Sequence, residues 1–266
     1  MRKEIQSALT ALIILSTGMV LAQVEGTIVI QEGGRRLTGN IQWSVRDKAY
    51  KIMVKGGNIE LSIEPDKIES LLIPKPAALT AAEGLVKQGQ AGQAIPVLKK
   101  IVTEYNKLTW DATATRLLAD AYLLDGNAKE AIDVCEKIIS ASPEAAYSGD
   151  MAPAYWRALM MGDRVAKLDD MLTKAVKEGD RTTSAFALIA RGDLILKSGD
   201  TNDNAAKALR DGYLRVVTLY KGIKDAQPEA LYKAAKCFEK LGQSSRADTM
   251  RTTLKSDYGA SEWARK

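Results

Sequence analysis

The chain of 266 residues contains no histidine. That absence removes Ser-His-Asp and Cys-His nucleophile pairs, histidine-based zinc or iron sites, and imidazole acid–base chemistry. Cysteine is nearly absent too: Cys135 and Cys237 stand in well-separated parts of the chain, and each is expected to pack as a small apolar residue. No glycine-rich phosphate loop is present, because Gly33-Gly34 and Gly56-Gly57 have hairpin-turn surroundings and no helix-opening lysine follows them. There is no long block of one charge either. Its 38 basic and 33 acidic residues are interspersed, which leaves a net charge of +5 without a basic track for a phosphate backbone. Asp169 and Asp170 are a candidate carboxylate pair, but neighbours on a helix diverge by about 100° and cannot share one substrate. The chain is therefore expected to be a non-enzyme with no catalytic residue, no metal and no cofactor. A hydrophobic content of 46% with 27% charged residues is that of a folded chain.

Long apolar runs are also missing, with one exception. After Arg2 and Lys3, residues Ala8 to Leu21 are apolar apart from Thr10, Ser16, Thr17 and Gly18, and Val20-Leu21-Ala22 ends the run with small residues at the last and third-last positions. This order predicts a signal peptide over residues 1–22, cleaved after Ala22. The run falls short of the roughly 20 residues of a spanning helix, although a retained anchor is the alternative. No cysteine follows it, which excludes a lipoprotein route. The expected location is periplasmic or secreted, without stable membrane insertion.

Residues 24–73 show period-two alternation. Thr27 to Ile30, Leu37 to Trp43, Tyr50 to Val54 and Ile59 to Ile63 are strand candidates, with a fifth at Lys67 to Ile73, and turn compositions separate them. Five short strands must curl to bury one face, so a small SH3-like β-barrel is expected. The run from Glu32 to Ile41, followed by Pro65 to Leu71, resembles the small β module that precedes helical repeats in some bacterial envelope proteins. Such a barrel could cap the first repeat. Nucleic acid is not expected as a partner behind an export signal. Ile73-Pro74-Lys75-Pro76 then breaks the pattern and marks a boundary.

From residue 77 to 264 a helix-pair pattern recurs. With the small residue of each first helix as a ruler, copies align at Ala82, Ala119, Tyr155, Gly192 and Ala235, at intervals of 37, 36, 37 and 43. Copies one, two and five agree at offsets 3, 7, 12 and 19, as in Ala119, Tyr122, Gly126, Ala131 and Ile138. Copy three departs, with Lys167 where a small residue is expected, and copy four carries extra residues near Gly199 to Asn204. The order of small residue, turn glycine and closing Pro143 resembles the tetratricopeptide repeat. Ala205 to Tyr220, followed by Pro228 to Phe238, resembles the repeat regions of bacterial envelope assembly and cell-division coordinator proteins. The fold class expected is α+β: a mainly α-helical solenoid of five pairs behind the small β module.

That resemblance implies a scaffold that binds another envelope protein or a peptide segment, with self-association as a further option. In such repeats the first helix of each pair lines the concave groove, which projects Arg116, Asp120, Leu123, Leu124, Trp156, Leu159, Met160, Ile189, Asp193, Lys197, Tyr232, Lys236, Glu239 and Lys240 into it. Trp156, Leu159 and Met160 can equally be read as packing between degenerate repeats. The Lys and Asn pattern that holds a chaperone tail is missing, since Leu79 with Glu83 and Arg116 with Asp120 stand at those positions. A rival reading makes the barrel a cell-wall glycan binder through Trp43 and Tyr50, with the repeats as spacer.

Overall fold

The computed structural model describes residues 23–57 and 59–266, so the expected signal segment lies outside the described residues. The chain divides into two compact units, one ending at Leu72 and one beginning at Ile73.

The first unit is a five-stranded antiparallel sheet: β1 (Val24–Ile30), β2 (Arg36–Ser44), β3 (Ala49–Val54), β4 (Glu60–Ile63) and β5 (Ile68–Leu72), in the order β4-β3-β2-β1-β5. Alternation places Val24, Ile28, Leu37, Ile41, Ile52 and Ile63 on its buried face. A meander of four strands is followed by a 3-10 turn over Pro65–Lys67, which returns the chain so that β5 pairs with β1. The register shifts between Val29 and Ile30, an irregularity of the kind that bends a strand. Gly39 sits where a Cβ would come within 2.0 Å of the Met53 carbonyl oxygen, so this crossing needs a residue without a side chain.

The second unit is a tetratricopeptide-like solenoid of five helix pairs. The pairs are α1 (Ala77–Lys87) with α2 (Ala91–Glu104), α3 (Asp111–Leu124) with α4 (Ala128–Ala141), and α5 (Met151–Met161) with α6 (Val165–Glu178). Next comes α7 (Arg181–Lys197) with a composite rod of α8 (Asn202–Ala208), a π turn (Leu209–Tyr213) and α9 (Leu214–Leu219). The last pair is α10 (Gln227–Lys240) with α11 (Ser244–Tyr258). Tight turns join the pairs because Gly89, Gly126 and Gly242 take left-handed φ values of 73°, 77° and 68°, which cost glycine nothing.

The buried ruler residues confirm the helix contacts in copies one, two and five, but copy three is set one residue later than its spacing suggested. Its left-handed turn residue is Asp163 (φ 56°), one after Gly162. Counting back seven places Trp156, not Tyr155, at the position of Ala119. Leu168 and Ala175 then fall where Ala131 and Ile138 stand, and Leu168 and Ala175 are wholly buried. Lys167 no longer violates the pattern. Trp156 fills a place meant for a small side chain and is 1% exposed, with its Nε1–H donating to the Ala146 carbonyl at 2.9 Å.

In copy four, the extra length goes into a loop and the π turn. Thr201 caps α8 by accepting from the Asn204 amide at 3.1 Å. A Cβ on Gly212 would come within 2.7 Å of the Leu188 carbonyl oxygen and 3.0 Å of the Gly192 Cα, so the π turn lies directly against the backbone of α7. Buried side chains of the helices form two clusters, one running from α1 to α7 and one from α7 to α11. Cys135 belongs to the first and Cys237 to the second, and both are free.

Candidate functional site

Helices α3, α5 and α7 are first helices of successive pairs and pack side by side. Their unburied stripes meet over a cleft of about 720 Å³. The groove positions projected above stand three before and one, four and five after each ruler residue; counted from Trp156 they are Pro153, Arg157, Met160 and Met161 on α5, and all four line the cleft. Leu123 and Leu124 enter from α3, and Phe186, Ile189 and Ala190 from α7. Leu124 is 55% and Met161 49% exposed, so apolar surface stays open to solvent between polar rims.

Charged groups flank this floor. On the α3–α5 side, Asp120 accepts from Arg116 at 3.1 Å and from Arg157 at 2.6 Å. On the α7–α10 side, Lys233 donates to Asp193 and to Glu229, each at 2.6 Å, and the Tyr213 hydroxyl donates to Asp193 at 2.8 Å. Burial pushes the Asp193 carboxyl up despite the nearby Lys233 ammonium. Burial also pulls the Lys233 ammonium down, but the two carboxylates outweigh it and the net direction is up, so Lys233 stays charged. Lys197 reaches out of α7 to Asp163 at 3.2 Å. Among the described residues no cluster of acidic or cysteine side chains could hold a metal ion.

Of the residues projected from the sequence, Asp120, Leu123, Leu124, Trp156, Met160, Ile189, Asp193 and Lys197 line the cleft. Trp156 does so from beneath, as a buried wall. Arg116 stands behind Asp120 as its ion-pair partner. Leu159 is buried inside the third pair. The α10 residues Tyr232, Lys236, Glu239 and Lys240 are not part of the lining: Tyr232 meets Trp263 of the final turn with ring centroids 5.4 Å apart, Lys236 lies over Tyr232, Glu239 pairs with Arg251, and Lys240 pairs with Asp200. In their place α10 contributes Glu229 and Lys233, one turn earlier. The composite rod between α7 and α10 decides this offset, which no repeat count contains. Arg157, Met161 and Pro153 needed only the one-residue register shift.

In the sheet, Trp43 and Tyr50 face each other across β2 and β3, with centroids 4.8 Å apart and planes at 64°. Their rings therefore do not form a single flat plane.

Two stretches of the chain, residues 85–152 and 229–261, match tetratricopeptide repeat models. These stretches are tetratricopeptide repeats. The third and fourth helix pairs, where spacing and register depart from the pattern, fall between them for the most part. Solved tetratricopeptide-like repeats from a Podosopora anserina protein assigned as a kinesin light chain are similar at 15% identity, covering 70% of this chain and 95% of that one, with a TM-score of 0.46. A point variant of those repeats is similar at 16% identity, covering 70% and 96%, with a TM-score of 0.42. No curated protein matches the chain. No helix among the described residues is long and apolar enough to cross a membrane.

Proposed function

We propose that the protein is a non-enzymatic protein–protein interaction scaffold of the bacterial cell envelope, exported by its N-terminal segment, and that it holds a partner segment in the cleft over α3, α5 and α7. The observation that carries this reading is the open apolar floor at Leu124 and Met161, rimmed by ion pairs, on the first-helix face of tetratricopeptide repeats. An apolar floor gives affinity and polar rims give register, as grooves that take peptides require. The N-terminal sheet serves as an SH3-like module. Its meander, 3-10 turn and return of β5 to β1 support that reading.

Crosslinked affinity capture from the source cell's envelope tests the scaffold role. The mature chain is expected to recover the same protein repeatedly, and Leu124→Asp with Met161→Asp to lose it while the fold persists. Equal recovery by both forms would sink the cleft as the site. N-terminal sequencing of the exported protein is expected to begin at Gln23. The cross-strand pair of Trp43 and Tyr50 favours one second reading, cell-wall glycan binding by the sheet. Retention of the protein on purified cell wall, abolished by Trp43→Ala, would support it.

A further inference from the structure

Resting on that cleft as the binding site, we propose that its occupant is a dipolar segment of a partner protein: an acidic residue over α3–α5, apolar residues along the floor, and a basic residue over α7–α10. At the first pole two guanidinium groups, Arg116 and Arg157, share the single carboxylate of Asp120, leaving one positive charge in excess. Arg157 is 58% exposed, and a guanidinium carries five donors in a fork suited to a second carboxylate.

At the second pole the count reverses. One ammonium, Lys233, lies between the carboxylates of Asp193 and Glu229, leaving one negative charge in excess. Lys197, farther along α7, is matched by Asp163 and adds nothing to either pole. The cleft as a whole is therefore near neutral but polarised along the row of first helices. A uniformly acidic or basic partner would meet repulsion at one end, whereas a dipolar one is attracted at both.

Spacing sets the segment. The pole carboxylates Asp120 on α3 and Asp193 on α7 stand two packed helix steps apart, α3 to α5 to α7, each about 8–10 Å. An extended chain rises about 3.3 Å per residue, so the two charges should be about five or six residues apart. Because screening acts over about 8 Å at physiological salt, each pole acts on its own neighbour and binding should weaken as salt rises.

Fluorescence anisotropy with the full chain tests this, using four end-blocked peptides with one shared apolar centre. Their flanking residues are Glu and Lys, Lys and Lys, Glu and Glu, or Gln and Gln. The Glu/Lys peptide is expected to bind about tenfold tighter than the Gln/Gln peptide. Arg157→Glu should weaken it by about tenfold and make Lys/Lys the preferred ligand. Arg157→Gln, a milder change at a well-exposed site, should remove the preference for Glu without reversing it, with far-UV circular dichroism confirming an unchanged fold. Equal binding of Gln/Gln and Glu/Lys, lost in Leu124→Asp, overturns the dipolar proposal and leaves the cleft as the site. A preference of the unaltered protein for Lys/Lys or Glu/Glu overturns it as well. Binding by none of the four, or binding indifferent to both Leu124→Asp and Arg157→Glu, overturns the proposal and the cleft reading together. Concentration-dependent self-association that blocks every peptide also overturns it, in favour of a second copy as occupant.

Discussion

Replacing Gly192 by alanine tests the crossing that sets the far wall of the cleft. A Cβ there would stand 2.5 Å from Tyr213 Cε1 and 2.6 Å from its Cζ. Carbon contacts settle at about 3.5–4.0 Å, so the ring would have to withdraw by about 1 Å. Tyr213 has no accessible surface and its hydroxyl donates to Asp193 at 2.8 Å, which leaves no free direction. Overpacking costs about 1–3 kcal/mol, and losing a hydrogen bond to a charged acceptor costs about 1.5–3. Alanine regains about 1 kcal/mol of helix propensity. The expected net loss for Gly192→Ala is about 1.5–5 kcal/mol, read as a lowered urea midpoint by far-UV circular dichroism. In a Tyr213→Leu background the same substitution should cost almost nothing, because the clashing ring is gone. An unchanged or raised midpoint for Gly192→Ala alone would refute the close crossing of α7 and the π turn.

Trp156→Ala is expected to cost about 3–5 kcal/mol, as truncation of a large buried side chain does, while Arg157→Ala next to it should cost under about 1. Similar small losses at both positions would mean that Trp156 faces the groove and that the one-residue shift is wrong. Burial pushes the Cys135 thiol up to about 12 and the Cys237 thiol up to about 11, so a thiolate-specific reagent at mildly alkaline pH should label neither until denaturant is added. Rapid labelling of the native protein would contradict their packing. Asp180 caps α7 by accepting from the Thr183 amide at 2.9 Å, and the Thr183 hydroxyl and amide hold its carboxyl below the usual range. Asp180→Ala should cost about 1 kcal/mol at neutral pH. Because the folded value is the lowered one, that benefit is present above the ordinary carboxylate value of about 3.9 and fades as pH falls through the folded one. A gap between the two proteins that persisted undiminished in strong acid would count against an ionised cap.

Much of the architecture was legible in the chain because it rests on local rules. Strands β1 to β4 follow, within a few residues at their ends, from alternation and turn residues, which need no knowledge of the rest of the molecule. Helix pairs one, two and five were readable for the same reason: Gly89, Gly126 and Gly242 hold the left-handed turn that fixes each offset. Copy three hides its register because Asp163 occupies that turn while a glycine stands one residue before it, so counting from Gly162 misplaces every residue by one. That slip makes Trp156 an open groove residue, where it is the buried wall beneath the cleft, and passes over Arg157 and Met161. Copy four conceals more, since the π turn depends on Gly212 meeting Gly192, a contact 20 residues apart in sequence that periodicity does not register.

The classes of element, their pairing into repeats and the lack of histidine are all written in the chain. These depend on composition and on spacing within a few turns of chain. Which stripe of each helix stays open, and which charges meet, follows instead from packing. The ion pair of Lys233 with Asp193 spans 40 residues, and that of Arg157 with Asp120 spans 37. Both arise because packed first helices bring distant side chains to one face, and that face is set by the rotation of each helix in its pair.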